Sequence, residues 1–88
     1  MIIQLHEVEG LYKYSGLMFQ RDPKALVFRF PKYTTAAIHS LFCKPFLAIW
    51  MKNGEHLESK LIGSGVLEIK PIRAFDTLIE IPLVLLEA

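Results

Sequence analysis

Apolar positions along this chain recur mostly with a period of two, which is the period of a β-strand. In residues 25–30, Leu26, Phe28 and Phe30 point to one face and Arg29 points to the other. This alternation predicts a strand with its aromatic face in the core and Arg29 in solvent.

Other segments with a strand-like pattern lie on both sides of this one. They are residues 2–8, 33–38, 46–51, 66–70 and 77–82. Within them the period predicts that Leu67 and Ile69 face inward, whereas Glu68 and Glu80 lie on solvent faces.

The dipeptide Asn53-Gly54 follows the strand of residues 46–51. It predicts a type I′ hairpin, because both central residues of that turn need a positive φ. A two-residue turn sets Met51 opposite His56 and Trp50 opposite Leu57.

One segment has helical spacing, with apolar residues at Leu11, Tyr14, Leu17 and Met18. Gly16 inside it costs about 1 kcal/mol relative to alanine, so the helix is expected to be short. The sequence therefore predicts one mainly-β domain over residues 1–88, a small antiparallel β-sandwich or barrel with one short helix near residues 11–19.

Several motifs, taken together, resemble one known family. They are Ser15-Gly16-Leu17-Met18-Phe19, the strand of residues 25–30 followed by Pro31, Ile38-His39, and Pro45-Phe46-Leu47-Ala48-Ile49-Trp50. In order and approximate spacing they resemble domain of unknown function 192 (uncharacterised protein family 0127), in a short, archaeal-like form.

This resemblance covers roughly residues 14–82. It implies a small β-sandwich of jelly-roll-like topology with a helix packed on it, and no established biochemical activity. Leu47 stands where relatives often carry aspartate, so a role that depends on that carboxylate is not expected here.

Composition adds two expectations. The apolar fraction is 52% and the mean hydropathy is +0.34, which is high for a soluble domain and favours some apolar surface that meets a partner. Cys43 is the only cysteine, and neither a leader peptide nor an apolar run of roughly 20 residues is evident, so we expect a cytoplasmic protein with no disulfide and no membrane span.

Charge is distributed unevenly although the net charge is +1. Residues 13–52 contain seven cations and one anion, and the rest contains three cations and eight anions. A basic face with neighbouring aromatic rings is one route to nucleic-acid binding. The alternation argues against that function, because it puts Phe28 and Phe30 in the core.

Catalytic chemistry has one candidate pair. Cys43 follows His39 by four residues, and a thiol beside a basic imidazole is the minimum for a nucleophilic enzyme. A buried, inert cysteine is the simpler interpretation. His6, His39, His56 and Cys43 lack the short paired spacing of a metal site, so neither a metal nor a cofactor is expected.

The sequence thus favours a small non-catalytic β domain that binds a small ligand or a protein partner. The predicted binding surface contains Arg29, His39, Phe42 and Trp50. The apolar C-terminal strand also suggests a homo-oligomer formed through that strand. An enzyme using Cys43 and His39 is the alternative, and a nucleic-acid-binding module using residues 13–52 is the third.

Overall fold

The computed structural model describes residues 3–8 and 22–87 of the chain. Its strands are β1 (Leu5–Val8), β2 (Ala25–Thr34), β3 (Phe46–Lys52), β4 (Glu55–Ile62) and β5 (Phe75–Pro82), and a 3₁₀ turn over Leu83–Leu85 follows them. The mainly-β class is confirmed. The predicted helix near residues 11–19 lies outside the described residues.

All five strands belong to one sheet, in the order β1-β2-β5-β3-β4. β1 runs parallel to β2, which corrects the expectation of a purely antiparallel arrangement, and the other neighbours are antiparallel. The sandwich or barrel detail is not confirmed by the described strands, which form this single layer. No helix in the described ranges is both long enough and apolar enough to cross a membrane.

The core lies against one face of the sheet. Its largest members are Phe28, Phe46, Trp50 and Phe75, which come from β2, β3 and β5. The prediction for β2 holds at Phe28, which is buried, and at Arg29, which is exposed. Ala25 and Val27, on the same face as Arg29, are also buried, so the first four residues of β2 are covered on both faces rather than half-buried. Burial of these large apolar side chains is the main source of stability in a domain of this size.

Two loops cover this core face, and they pair with each other. Ile38 and Ile69 exchange both backbone hydrogen bonds, at 2.9 and 2.8 Å, and Ile69 is buried in the core. The segments predicted as strands at residues 33–38 and 66–70 are therefore mostly loops joined by one bridge. Leu67 is 75% exposed rather than inward, because outside a regular ladder the two-residue period no longer holds.

The predicted hairpin is confirmed at its turn. Asn53 and Gly54 have φ values of 51° and 79°, and Met51 pairs with His56. Trp50, however, pairs with Glu58 rather than with Leu57, because the register shifts between Trp50 and Met51. A bulge of this kind inserts one extra residue into one strand of the pair.

β5 lies in the middle of the sheet, between β2 and β3. Both of its hydrogen-bonding edges are therefore occupied. This corrects the idea that the C-terminal strand pairs with a second copy of the chain, since only β1 and β4 lie at sheet edges among the described strands.

Candidate functional site

Trp50 was predicted to line a binding surface, but its side chain is wholly buried in the core. It lies on β3 in the row that contains Phe28 and Leu78, in the middle of the sheet. Its indole Nε1 has no hydrogen-bond partner in the described part of the chain. Trp50 is thus a packing residue that no external partner reaches.

Arg29 lies on the opposite face of the sheet from Trp50. Arg29 pairs with Thr77, and the next pair along the two strands is Phe28 with Leu78, which shares its row with Trp50. Successive residues of a strand point to opposite faces of the sheet. The Nε of Arg29 donates to Oε1 of Glu7 at 2.6 Å, in an exposed ion pair between β2 and β1. The predicted surface of four residues is therefore divided between two faces.

His39 and Cys43 lie in the loop before β3, and each makes a local contact with Leu41. The amide of Leu41 donates to Nδ1 of His39 at 3.1 Å, and Sγ of Cys43 donates to the carbonyl of Leu41 at 3.4 Å. Burial raises the pKa of the Cys43 thiol, and the negative charge of Glu80 raises it further. A raised pKa keeps the thiol protonated at neutral pH, which is the opposite of what a nucleophilic cysteine requires.

Alkylation of Cys43 is consequently expected to be slow. With iodoacetamide and mass detection, we expect the native protein to react with a pH midpoint above the ordinary value of 9.0 for a thiol, and the urea-unfolded protein to react at that ordinary value. A midpoint below about 8 in the native protein, close to the range of activated thiols, would instead support the enzyme alternative.

Phe42, like Arg29, is a predicted site residue that lies at the surface, and it is 68% exposed. It lies in a turn closed by the amide of Cys43, which donates to the carbonyl of Ser40 at 3.1 Å. Its φ is +59°, at the third position of this turn, which type II turns normally give to glycine. A bulky side chain in this conformation is uncommon.

Ser40 holds this turn against the second loop. Its hydroxyl donates to the carbonyl of Gly63 at 2.6 Å and accepts from the amide of Val66 at 2.7 Å. Its carbonyl also accepts from the amide of Gly65 at 2.9 Å, and the whole residue is buried. Sequence reasoning missed Ser40, because a lone serine gives no signal of which backbone groups it will meet.

Phe42, Val66 and Leu67 together define what we call the loop surface. Ser40 binds the loops that carry them, so the three residues lie at the end of the sheet where β3 begins. Each side chain is exposed. These three side chains are apolar, and the loops that carry them are held together by the buried hydrogen bonds of Ser40.

Glu80 is a second residue that the sequence analysis placed wrongly. It is 5% exposed, in the centre of β5, between Leu26 of β2 and Ala48 of β3. Its carboxylate makes no hydrogen bond or ion pair within residues 3–8 and 22–87. Burial raises its pKa from 4.5 to about 7.

Sequence and structure comparisons identify no relative of this chain. No family model, curated protein or solved structure matches it. Within the described ranges, no three histidine, cysteine or acidic side chains group closely enough to hold a metal ion. The function is therefore inferred from the residues of the chain itself.

Proposed function

We propose that this protein is a small non-catalytic β domain that binds another protein chain through the loop surface. Phe42 and Leu67 are 68% and 75% exposed there. Exposed apolar patches with polar residues around them mark sites of protein interaction. Phe42, from the originally predicted set, is the centre of this surface, and His39 lies on the same loop.

The observation that carries the proposal is the backbone conformation of Phe42. A left-handed residue other than glycine costs roughly 1–2 kcal/mol, and glycine would remove that cost. Strained residues persist when neighbouring contacts enforce them, and they concentrate at binding sites. The hydrogen bonds of Ser40 enforce this turn, and the strain is explained if the phenyl ring is needed outside the fold.

The alternatives receive less support. A Cys43 nucleophile is disfavoured by the raised pKa of its thiol. Nucleic-acid binding through the basic segment is disfavoured because Phe28 is buried and Arg29 is ion-paired with Glu7. Membership of the domain of unknown function 192 family and a cytoplasmic location, in keeping with the unpaired Cys43 thiol, remain part of the proposal.

Photo-crosslinking tests the loop surface. A photoreactive phenylalanine analogue at position 67 is expected to give one discrete adduct when the protein is irradiated in its own host cell. The mass of the adduct tells a second copy of this chain from a different protein. The same analogue at Ile72, which is 78% exposed and whose amide is bonded to the Glu58 carboxylate of β4, is the matched control and should give no such band.

Phe42→Gly separates a binding role from a structural one. We expect it to abolish the adduct at position 67 and to stabilise the fold by about 1 kcal/mol, because the turn strain is released. Leu67→Gly, made for comparison in thermal unfolding, should not stabilise. Loss of stability in Phe42→Gly, or adducts of equal intensity at positions 67 and 72, would contradict the proposal.

A further inference from the structure

A hollow lies at the other end of β3 from the loop surface, beside the hairpin turn. β2 and β5 are in register at Arg29 and Thr77, but the next paired residues are Thr34 and Phe75. Five steps along β2 thus correspond to two along β5, so residues 30–33 bulge out of the ladder. Bulges are frequent next to binding sites because they redirect side chains.

The hollow between this bulge and the hairpin turn has a volume of about 460 Å³. Its lining residues are Phe30, Pro31, Lys32, Tyr33, Asn53 and Asp76. This volume is within the range of about 300–1,000 Å³ that small-molecule sites occupy.

Hydrogen bonds fix the polar wall of the hollow. The hydroxyl of Tyr33 donates to Oδ1 of Asn53 at 2.8 Å, and the amide of Asn53 donates to Oδ2 of Asp76 at 3.0 Å. The hydroxyl of Thr77 donates to Oδ1 of the same carboxylate at 3.0 Å. Both oxygens of Asp76 are therefore engaged within the protein.

Two lysines supply positive charge at this place. Lys32 lines the hollow, and Nζ of Lys52 lies 4.5 Å from the centroid of the Tyr33 ring. Neither lysine forms an ion pair with a residue in the described ranges. Among the described residues, Asp76 is the one acid in the lining, and both of its oxygens already accept hydrogen bonds. Glu55 lies opposite Lys52 in the hairpin but does not line the hollow. The lysine ammonium groups are therefore the charged groups left to meet a ligand, and they favour an anion.

We propose that this hollow is a binding site for a small molecule that carries an anionic oxygen group, either a carboxylate or a phosphate. The ammonium groups of Lys32 and Lys52 contact the anionic group, and the ring of Tyr33, which Lys52 covers on one face, offers its remaining apolar surface to the rest of the ligand. The site contains none of the residues of the loop surface. A negative result for one of the two proposals therefore does not affect the other.

Amide chemical shifts measured by NMR test the site directly. The ¹⁵N-labelled protein is titrated with sodium phosphate and, separately, with sodium benzoate, while sodium chloride keeps the ionic strength constant. We expect saturable shifts confined to residues 30–33, 52–54 and 76. Saturation by phosphate alone identifies a phosphate-type ligand, and tighter binding of benzoate identifies an aromatic carboxylate.

Lysine variants provide the control. Lys32→Gln and Lys52→Gln should each weaken binding about tenfold, as expected for loss of one charge-assisted hydrogen bond. Lys44→Gln, an exposed lysine at the other end of β3, should leave binding unchanged. The proposal is overturned if neither anion saturates, if the shifts spread over the whole surface, or if Lys44→Gln weakens binding as much as Lys32→Gln does.

Discussion

Raising the pH from about 5 to about 8 is expected to lower the free energy of unfolding by roughly 2 to 3 kcal/mol through Glu80 alone. The ordinary pKa of a glutamate carboxyl, as in the unfolded chain, is 4.5, and burial raises the pKa of Glu80 to about 7 in the fold because it penalises the charged form. The folded protein therefore holds the proton more tightly than the unfolded chain does. The contribution of Glu80 to the free energy of unfolding is fully present below pH 4.5, decreases as the pH rises towards 7, and is lost above pH 7.

Glu80→Gln isolates this effect, because glutamine keeps the shape of the protonated acid and cannot ionise. Urea unfolding at several pH values should show the variant close to wild type in mild acid and more stable than wild type at pH 8. Other groups also titrate across this range, so the difference between the two proteins is the quantity to compare. Glu68→Gln, at an exposed position, should behave like wild type. An equally steep decline in Glu80→Gln would assign the pH dependence to another group.

Trp50→Ala should cost about 3–5 kcal/mol, the usual range for emptying a buried aromatic site. Trp50 is among the largest fully buried side chains, and it packs in the core with Phe28 and Leu78. A domain of this size has a total stability of about 5–15 kcal/mol, so the variant is expected to be partly unfolded at room temperature.

Circular dichroism is the appropriate measurement for this variant, because Trp50 is the only tryptophan and its fluorescence is lost with it. Leu61→Ala is the matched comparison, since Leu61 is also on a β-strand but is 70% exposed, and it should change stability by less than about 0.5 kcal/mol. A loss of similar size in both variants would mean that Trp50 does not occupy the centre of the core.

Local features of the fold were predictable from the sequence, and features that depend on the order of strands were not. The faces of β2 and the turn at Asn53 follow from short-range alternation and from turn chemistry. The bulge between Trp50 and Met51 could not be anticipated, because it depends on how β3 and β4 pair over their whole length.

Glu80 and Phe42 show that the surroundings of single site residues were also beyond prediction from the sequence. Alternation placed Leu78 and Glu80 on one face of a strand, and this is confirmed. It could not show that this face belongs to the central strand and packs against the core, so Glu80 was assigned to solvent. The sequence predicts Phe42 at a binding surface, but its strained turn depends on Ser40 and on a loop more than twenty residues away.

The position of β5 also affects how the chain is made. Its two neighbours, β2 and β3, both precede it in the sequence. While the protein emerges from the ribosome, the pair of β1 and β2 and the hairpin of β3 and β4 have nothing between them until residues 75–82 leave the exit tunnel. Nascent chains that lack β5 expose the unpaired backbone edges of β2 and β3, which can pair with other chains. The sheet is therefore completed only when β5 becomes available.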